Sequence, residues 1–251
     1  LWHGPTAAFK DLALQIMPLL FLESIQTNKQ KKKYLVLAAT SGDTGKAALE
    51  GYKNLENISI LVLYPKNKVS RLQELQMITQ SGNNICVLAV DGDFDQSQSL
   101  VKEILADEQF NDQLNKQFNT KLTSANSINW GRLIPQIIYY FVGYMNLIQQ
   151  KVLKLGDEIN VSVPTGNFGN ILAAFLSKKM GLPIDKLICA TNENNAVSEF
   201  LNTGIYDISH KSMKSTLSPA MDILVASNIE RLLFFITKDP TRVAGWMNQL
   251  K

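Results

Sequence analysis

Tyr34-Leu35-Val36-Leu37-Ala38-Ala39-Thr40-Ser41-Gly42-Asp43-Thr44-Gly45 is the stretch on which the fold turns. Its first six residues read as a buried strand, and the polar, glycine-bearing turn after them opens a helix that runs through Tyr52. A strand, a hydroxyl-rich loop and a helix in that order make half of a parallel crossover unit. The order then repeats. A strand at 58–64 precedes Pro65 and a helix with Leu72, Leu75 and Ile78 on one face. A strand at 85–90 precedes Asp91-Gly92-Asp93 and a helix at about 96–105. A short strand at 122–124 leads to Asn126-Ser127-Ile128-Asn129 and a long apolar helix from about 132 to 149. A strand at 159–163, a loop at 164–170 and a helix at 171–180 follow, then a strand at 187–191 that enters an asparagine-rich loop, 192–195. Upstream, 12–25 reads as an apolar helix. The pattern predicts an α/β protein built on mostly parallel sheet covered by helices.

Composition narrows the function classes. The 251 residues are 45% hydrophobic and 19% charged, with 25 Lys+Arg against 22 Asp+Glu and a net charge of +3, ordinary for a globular protein. That charge excess is too small and scattered for nucleic acid, and the one dense basic run, 29–33, falls between a helix and a strand. Two distant cysteines, Cys86 and Cys189, read as small core residues in a reducing compartment. Two histidines, His3 and His210, show no ligand spacing, so no metal site is expected. No apolar run is long enough to span a membrane, and no secretory signal is visible, so a cytoplasmic protein is expected. The chain opens on Leu1 inside a motif and stops after a helix-like stretch, which suits a piece of a longer protein.

In parallel sheets, ligands gather beyond the carboxyl ends of the strands. Three polar loops occupy that position: 40–45, 124–129 and 165–170. In the last, Gly166-Asn167-Phe168-Gly169-Asn170 follows a buried strand and opens a helix, which aims several backbone N–H groups at one spot and suits a phosphate. An ordinary tight turn would need one glycine, not two. The first loop lacks the residues of a nucleotide P-loop at Thr40 and Ala47, and either holds an anion or simply caps its helix. The second offers Asn126, Ser127 and, one turn on, the fork of Arg132, with helix capping again as the plainer reading. Lys10 completes the set. It lies where a turn, Gly4-Pro5-Thr6, gives way to the apolar helix, among Ala8, Phe9, Leu12 and Ala13. Partial desolvation there would lower its pKa and make it a usable nucleophile, although most such lysines merely lie on a surface. A nucleophilic lysine, a phosphate cradle and two further anion-holding loops together suggest pyridoxal phosphate and an anionic amino-acid substrate.

At this point the strings His-Gly-Pro-Thr-Ala-Ala-Phe-Lys-Asp, Thr-Ser-Gly-Asp-Thr-Gly, Asn-Ser-Ile-Asn-Trp-Gly-Arg, Pro-Thr-Gly-Asn-Phe-Gly-Asn and Ser-Thr-Leu-Ser-Pro-Ala-Met-Asp, in this order, resemble the threonine synthase family. The resemblance covers essentially the whole chain. It implies the tryptophan-synthase-beta-like fold, two mostly parallel open sheets flanked by helices with pyridoxal 5'-phosphate in the cleft between them. It implies a smaller domain at 34–127 and a larger cofactor-binding domain from 1–33 plus 128–251. Lys10 would form the Schiff base with the cofactor and later move protons, and Gly166, Asn167, Phe168, Gly169 and Asn170 would hold its phosphate. Thr40, Ser41 and Thr44, with Asp43 nearby, would take the substrate carboxylate, and Asn126, Ser127 and Arg132 the substrate phosphate. The implied reaction converts O-phospho-L-homoserine and water to L-threonine and phosphate, the last step of threonine biosynthesis, in a monomer or homodimer. Family members extend beyond both ends of this sequence, and the group that contacts the pyridine nitrogen lies in their later part. A threonine or serine dehydratase-type lyase, or a homologue or fragment that binds ligand without turnover, are the alternatives.

Overall fold

A computed structural model of the chain describes residues 3–29 and 31–250. It divides into two compact units, one ending at Arg132 and the other beginning at Leu133. The first holds four strands, β1 (Lys33–Ala39), β2 (Ile58–Pro65), β3 (Ile85–Val90) and β4 (Thr120–Ser124), in the order β3-β2-β1-β4. Every neighbouring pair is parallel. Helices α1 (Lys10–Thr27), α2 (Asp43–Tyr52), α3 (Arg71–Ile78), α4 (Phe94–Ala106) and α5 (Glu108–Phe118) connect or cover them, and the short α6 (Trp130–Leu133) closes the unit.

This strand order has a functional consequence. The chain winds from β1 outward through β2 to β3, then returns to add β4 on the opposite side of β1. The reversal makes the carboxyl ends of β1 and β4 the switch point of the sheet, where such folds bind ligands. The loops that leave those two ends are 40–42 and 125–129.

Burial explains the element pattern. Val36 and Ala38 of β1 and Ile58, Ile60 and Val62 of β2 pack with Ala47, Ala48, Leu49 and Tyr52 of α2, Leu14 of α1 and Met77 of α3. The small residues of α2 let it lie close to both the sheet and α1. At the crossing with α1 a β-carbon on Gly51 would stand 1.9 Å from the carbonyl oxygen of Leu14. That carbonyl is also the one that Pro18, lacking an N–H, cannot bond within α1. A proline in one helix and a glycine in the next thus meet at the same peptide group.

Tyr52 is fully buried, and its hydroxyl has no hydrogen-bond partner among the described residues. Burial pushes its pKa up. Removing an unsatisfied buried hydroxyl while keeping the ring removes a desolvation cost, so Tyr52→Phe should leave the protein as stable or more stable, by about 1 kcal/mol. Urea unfolding checks this, and a lower midpoint would contradict it.

The second unit contains β5 (Ile159–Pro164) and β6 (Ile184–Ala190), which pair in parallel, with α7 (Gln136–Gln149), α8 (Gly169–Lys179), α9 (Ala196–Thr203), α10 (Ile229–Thr237) and α11 (Pro240–Gln249). Its core joins Val163, Phe168, Ile171, Leu172, Val197, Ala226, Ile229 and Leu232.

The structure departs from the sequence reading in several places. Residues 1–33 were grouped with 128–251, but α1 packs on α2 and the units part at 132/133. The single helix expected at 132–149 is two, α6 and α7, because Pro135 stands between them. Leu72, Leu75 and Ile78 share a face that is exposed, while Met77 on the other side enters the core. Strand β6 begins three residues earlier than expected. Cys86 is exposed rather than in the core, because β3 is an edge strand whose outward residues face solvent; Cys189 is half-buried. Among the described residues no helix is long and apolar enough to cross a membrane.

Candidate active site

Lys10 is the first residue of α1, and the turn before it explains its placement. Asp11, itself buried, accepts hydrogen bonds from the Thr6 amide at 2.9 Å and from the Thr6 hydroxyl, with a longer one from the Ala8 amide at 3.4 Å. These bonds fold residues 4–9 against the start of the helix and fix the direction in which Lys10 leaves it. The Lys10 side chain is 11% exposed, and its amine stands 4.9 Å from the centre of the Phe9 ring. Nζ donates to both carboxylate oxygens of Asp43 at 2.6 Å.

Asp43 is the first residue of α2, where the helix dipole favours a negative charge. Burial lowers the Lys10 pKa, and the Asp43 charge and hydrogen bond offset only part of that. For Asp43, burial acts to raise the pKa, but the Lys10 ammonium and Arg132 outweigh it and hold the carboxyl below its ordinary value. The charge of Arg132 therefore bears on both members of the pair. Arg132 is itself buried and donates from Nη1 to the Ala125 carbonyl at 2.5 Å.

The loops of the switch point are braced from within. The buried Thr40 hydroxyl accepts from the amides of Gly42 at 3.0 Å and Gly45 at 2.9 Å, and donates to the Gly42 carbonyl at 3.1 Å. A hydroxyl has one donor and two acceptor positions, so all are used. Asn126 is likewise buried: its Oδ1 accepts from the Ala39 amide at 3.0 Å and its Nδ2 donates to the Ala39 carbonyl at 2.7 Å, which ties the end of β1 to the end of β4. Asn129 links the Ser124 carbonyl to the Gly131 amide. The side chains of Thr40 and Asn126, which the resemblance assigns to the substrate, thus brace the loops that carry them. Asp43, expected near a substrate carboxylate, is turned to Lys10. Ser41 and Thr44 lie in the same turn, and Ser127 lies between the braces at Asn126 and Asn129.

In the second unit, Gly166, Asn167 and Phe168 form the bend after β5, and Gly169 and Asn170 are the first two residues of α8. Phe168 adopts φ +62°, left-handed for a non-glycine residue, and its buried ring anchors that conformation in the core. It stands at the N-cap of α8 yet makes no side-chain cap. The amides of Phe168, Gly169 and Asn170 meet no acceptor among the described residues. Uncapped donors at the start of an eleven-residue helix are what a phosphate needs, so this loop fits that group.

The loop is held from behind. The Asn167 carbonyl accepts from the Asn228 amide and side chain, at 3.2 and 2.9 Å, and Asn167 Oδ1 accepts from the Ser227 hydroxyl at 3.2 Å. A β-carbon on Gly166 would crowd Ile223 and the Ala220 carbonyl at 3.2–3.3 Å, so only glycine passes there without displacement. The Asn170 side chain is taken up by α7, donating to Gln136 at 2.9 Å and to Tyr139 and accepting from Tyr140, which leaves its backbone amide to face a ligand.

Sequence reasoning gave no role to the residue that fixes the segment behind the loop. Asp222 is buried and accepts from the Thr216 amide and hydroxyl, at 2.9 and 2.7 Å, and from Asn192 and Asn194, at 2.7 and 3.1 Å. It ends the Ser-Pro-Ala-Met-Asp string, and its partners are the asparagines of the 192–195 loop. An acid and an asparagine-rich loop in one chain were the available signal.

Comparison with known proteins places this geometry in a family. Over 257 residues the chain is 43% identical to Threonine synthase-like 1 of Macaca fascicularis, covering 100% of this chain and 34% of the relative. It is 45% identical to Threonine synthase of Saccharomyces cerevisiae over 245 residues, covering 95% and 46%. The crystal structure of pyridoxal-phosphate-bound threonine synthase from Brucella melitensis superimposes with a TM-score of 0.83 at 38% identity, covering 99% of this chain and 51% of that one. The chain thus spans a third to about half the length of these relatives. The family described as pyridoxal-phosphate dependent enzyme matches residues 1–239, and the chain belongs to it.

Proposed function

We propose that this chain forms the core of a cytoplasmic threonine synthase, which converts O-phospho-L-homoserine and water to L-threonine and phosphate. The observation that carries the reading is Lys10, a buried amine held at 2.6 Å by a carboxylate at the switch point of a parallel sheet. The similarity to threonine synthases over nearly the full chain supports it.

Pyridoxal phosphate, when bound, supplies an electron-withdrawing ring that takes up the charge left at the substrate carbon. The residues of the chain divide the remaining work. Lys10 bonds the cofactor and, when released by the substrate amine, takes and returns protons at Nζ. Burial suits it to this, since an amine whose ammonium form is disfavoured gives up its proton near neutral pH more readily than a free lysine. The amides of Phe168, Gly169 and Asn170 hold the cofactor phosphate, with Gly166 and Asn167 shaping the bend. Ser41 and Thr44 orient the substrate carboxylate in a turn that Thr40 braces from inside. Arg132 and Ser127 take the substrate phosphate, and the guanidinium stabilises charge as that group leaves. Asn126 keeps their loop against β1.

The equal similarity to a protein named Threonine synthase-like 1 favours a second reading, a related lyase or a ligand-binding homologue. Incubating the full-length protein and cofactor with O-phospho-L-homoserine decides between them. Release of phosphate and threonine in equal amounts is expected. Ammonia from serine or threonine, without phosphate release, would give the dehydratase reading; cofactor binding with no product would leave a binding protein.

A further inference from the structure

Lys10 and Asp43 come from different helices, and each is the first residue of its own. Their contact is two-pronged: both carboxylate oxygens lie 2.6 Å from the amine. Both side chains are largely shielded, at 11% and 23% exposure, so the attraction between them is only weakly screened. The neighbouring acid on α1, Asp11, does not compete, because Thr6 and Ala8 occupy its oxygens. On α2, the next charged residues, Lys46 and Glu50, pair with each other at 3.8 Å. From α6, Arg132 opposes a positive charge on Lys10.

We propose that Asp43 is a positioning residue for Lys10: with both oxygens on the amine, it sets where the nitrogen stands and how readily the nitrogen loses its proton. The proposal rests on the reading of Lys10 as the cofactor lysine and extends it with a second residue. It also accounts for an acid in a turn otherwise suited to hold anions. A carboxylate there would repel a substrate carboxylate unless its charge were already met, and Lys10 meets it. Asp43 favours the ammonium while burial and Arg132 disfavour it, so the amine is held between two opposed influences.

The test is competitive acetylation of the full-length protein, freed of cofactor, with acetic anhydride across pH, with each lysine followed by peptide mass spectrometry. Removing the carboxylate charge removes what favours the ammonium, so the midpoint for Lys10 falls. In Asp43→Asn and in Asp43→Ser it should drop by about one pH unit or more, while Asp43→Glu, which keeps the charge, stays near wild type. Circular dichroism of each variant reports whether it has folded. An unchanged or raised Lys10 midpoint in both neutral variants, with the wild-type circular dichroism retained, overturns the proposal; should one neutral variant misfold, the other decides. Borohydride reduction with pyridoxal phosphate is read separately: absence of a fixed pyridoxyl group on Lys10 in wild type would remove the cofactor reading, whatever the acetylation midpoints show.

Discussion

Lys10→Ala is expected to lose covalent attachment of pyridoxal phosphate altogether and to lower turnover by about a thousandfold or more. The reason is local. The variant deletes the buried amine that Asp43 grips and removes the cation that offsets that carboxylate's burial. Two measurements check it: the visible absorbance of the wild-type protein with cofactor, which should vanish in the variant, and phosphate release from O-phospho-L-homoserine. The proposed phosphate cradle lies on other elements, the β5–α8 loop and its backing segment, so the variant should still take up the cofactor without fixing it. Gel filtration would then strip cofactor from the variant and leave it on wild type. A variant that keeps a borohydride-fixed pyridoxyl group would show that another lysine carries the cofactor.

The largest effect on stability is expected at Gly51. A methyl group there would lie 1.9 Å from the Leu14 carbonyl oxygen and 2.9 Å from its carbon, so the two helices must separate to admit it. Overpacking against backbone has no flexible side chain to absorb it, and a loss of about 3 kcal/mol is expected. The same glycine-to-alanine change at Gly245 in α11, where a β-carbon meets nothing within 4 Å, should stabilise by about 0.5–1 kcal/mol through helix propensity alone. Urea unfolding of the two variants side by side separates crowding from propensity. Because α1 and α2 carry Lys10 and Asp43 at their first residues, Gly51→Ala should also slow turnover without touching either one.

The alternation of strand, loop and helix is written in apolar runs and polar turns, and five of the six strands begin within two residues of the expected start. The helices that the sequence reading leaves unnamed are α5, α9 and α10. In α5 the sequence Glu108–Phe118 sets Phe110, Leu114 and Phe118 at helical spacing among eight polar residues, and the helix buries none of them. The break at Pro135 was visible, but the apolar residues on both sides of it invited one long helix. At the candidate site, the loops were legible because glycine, serine, threonine and asparagine cluster after strands. Which way each side chain bonds was not. Thr40, Asn126 and Asn170 can each serve a ligand or the backbone, and in all three the protein takes the side chain for itself. The Lys10–Asp43 pair joins positions 33 residues apart through a crossing of two helices, and nothing local in either string encodes it.

With the cofactor phosphate at its proposed place, the missing cap on α8 would tie cofactor binding to the folding of the chain. A helix start that leaves its amides unsatisfied is incomplete without an acceptor, and Phe168 is held there in a left-handed conformation by core packing and by the bonds behind Asn167. A phosphate seated on those amides closes the account, and whatever binds the folded form but not the unfolded one stabilises it by RT ln(1 + [L]/Kd), about 2.7 kcal/mol at a hundredfold excess over Kd. Local opening of the β5–α8 segment would then track cofactor supply. A cell short of the vitamin would hold not merely an idle protein but a less durable one, more open to proteolysis at this bend.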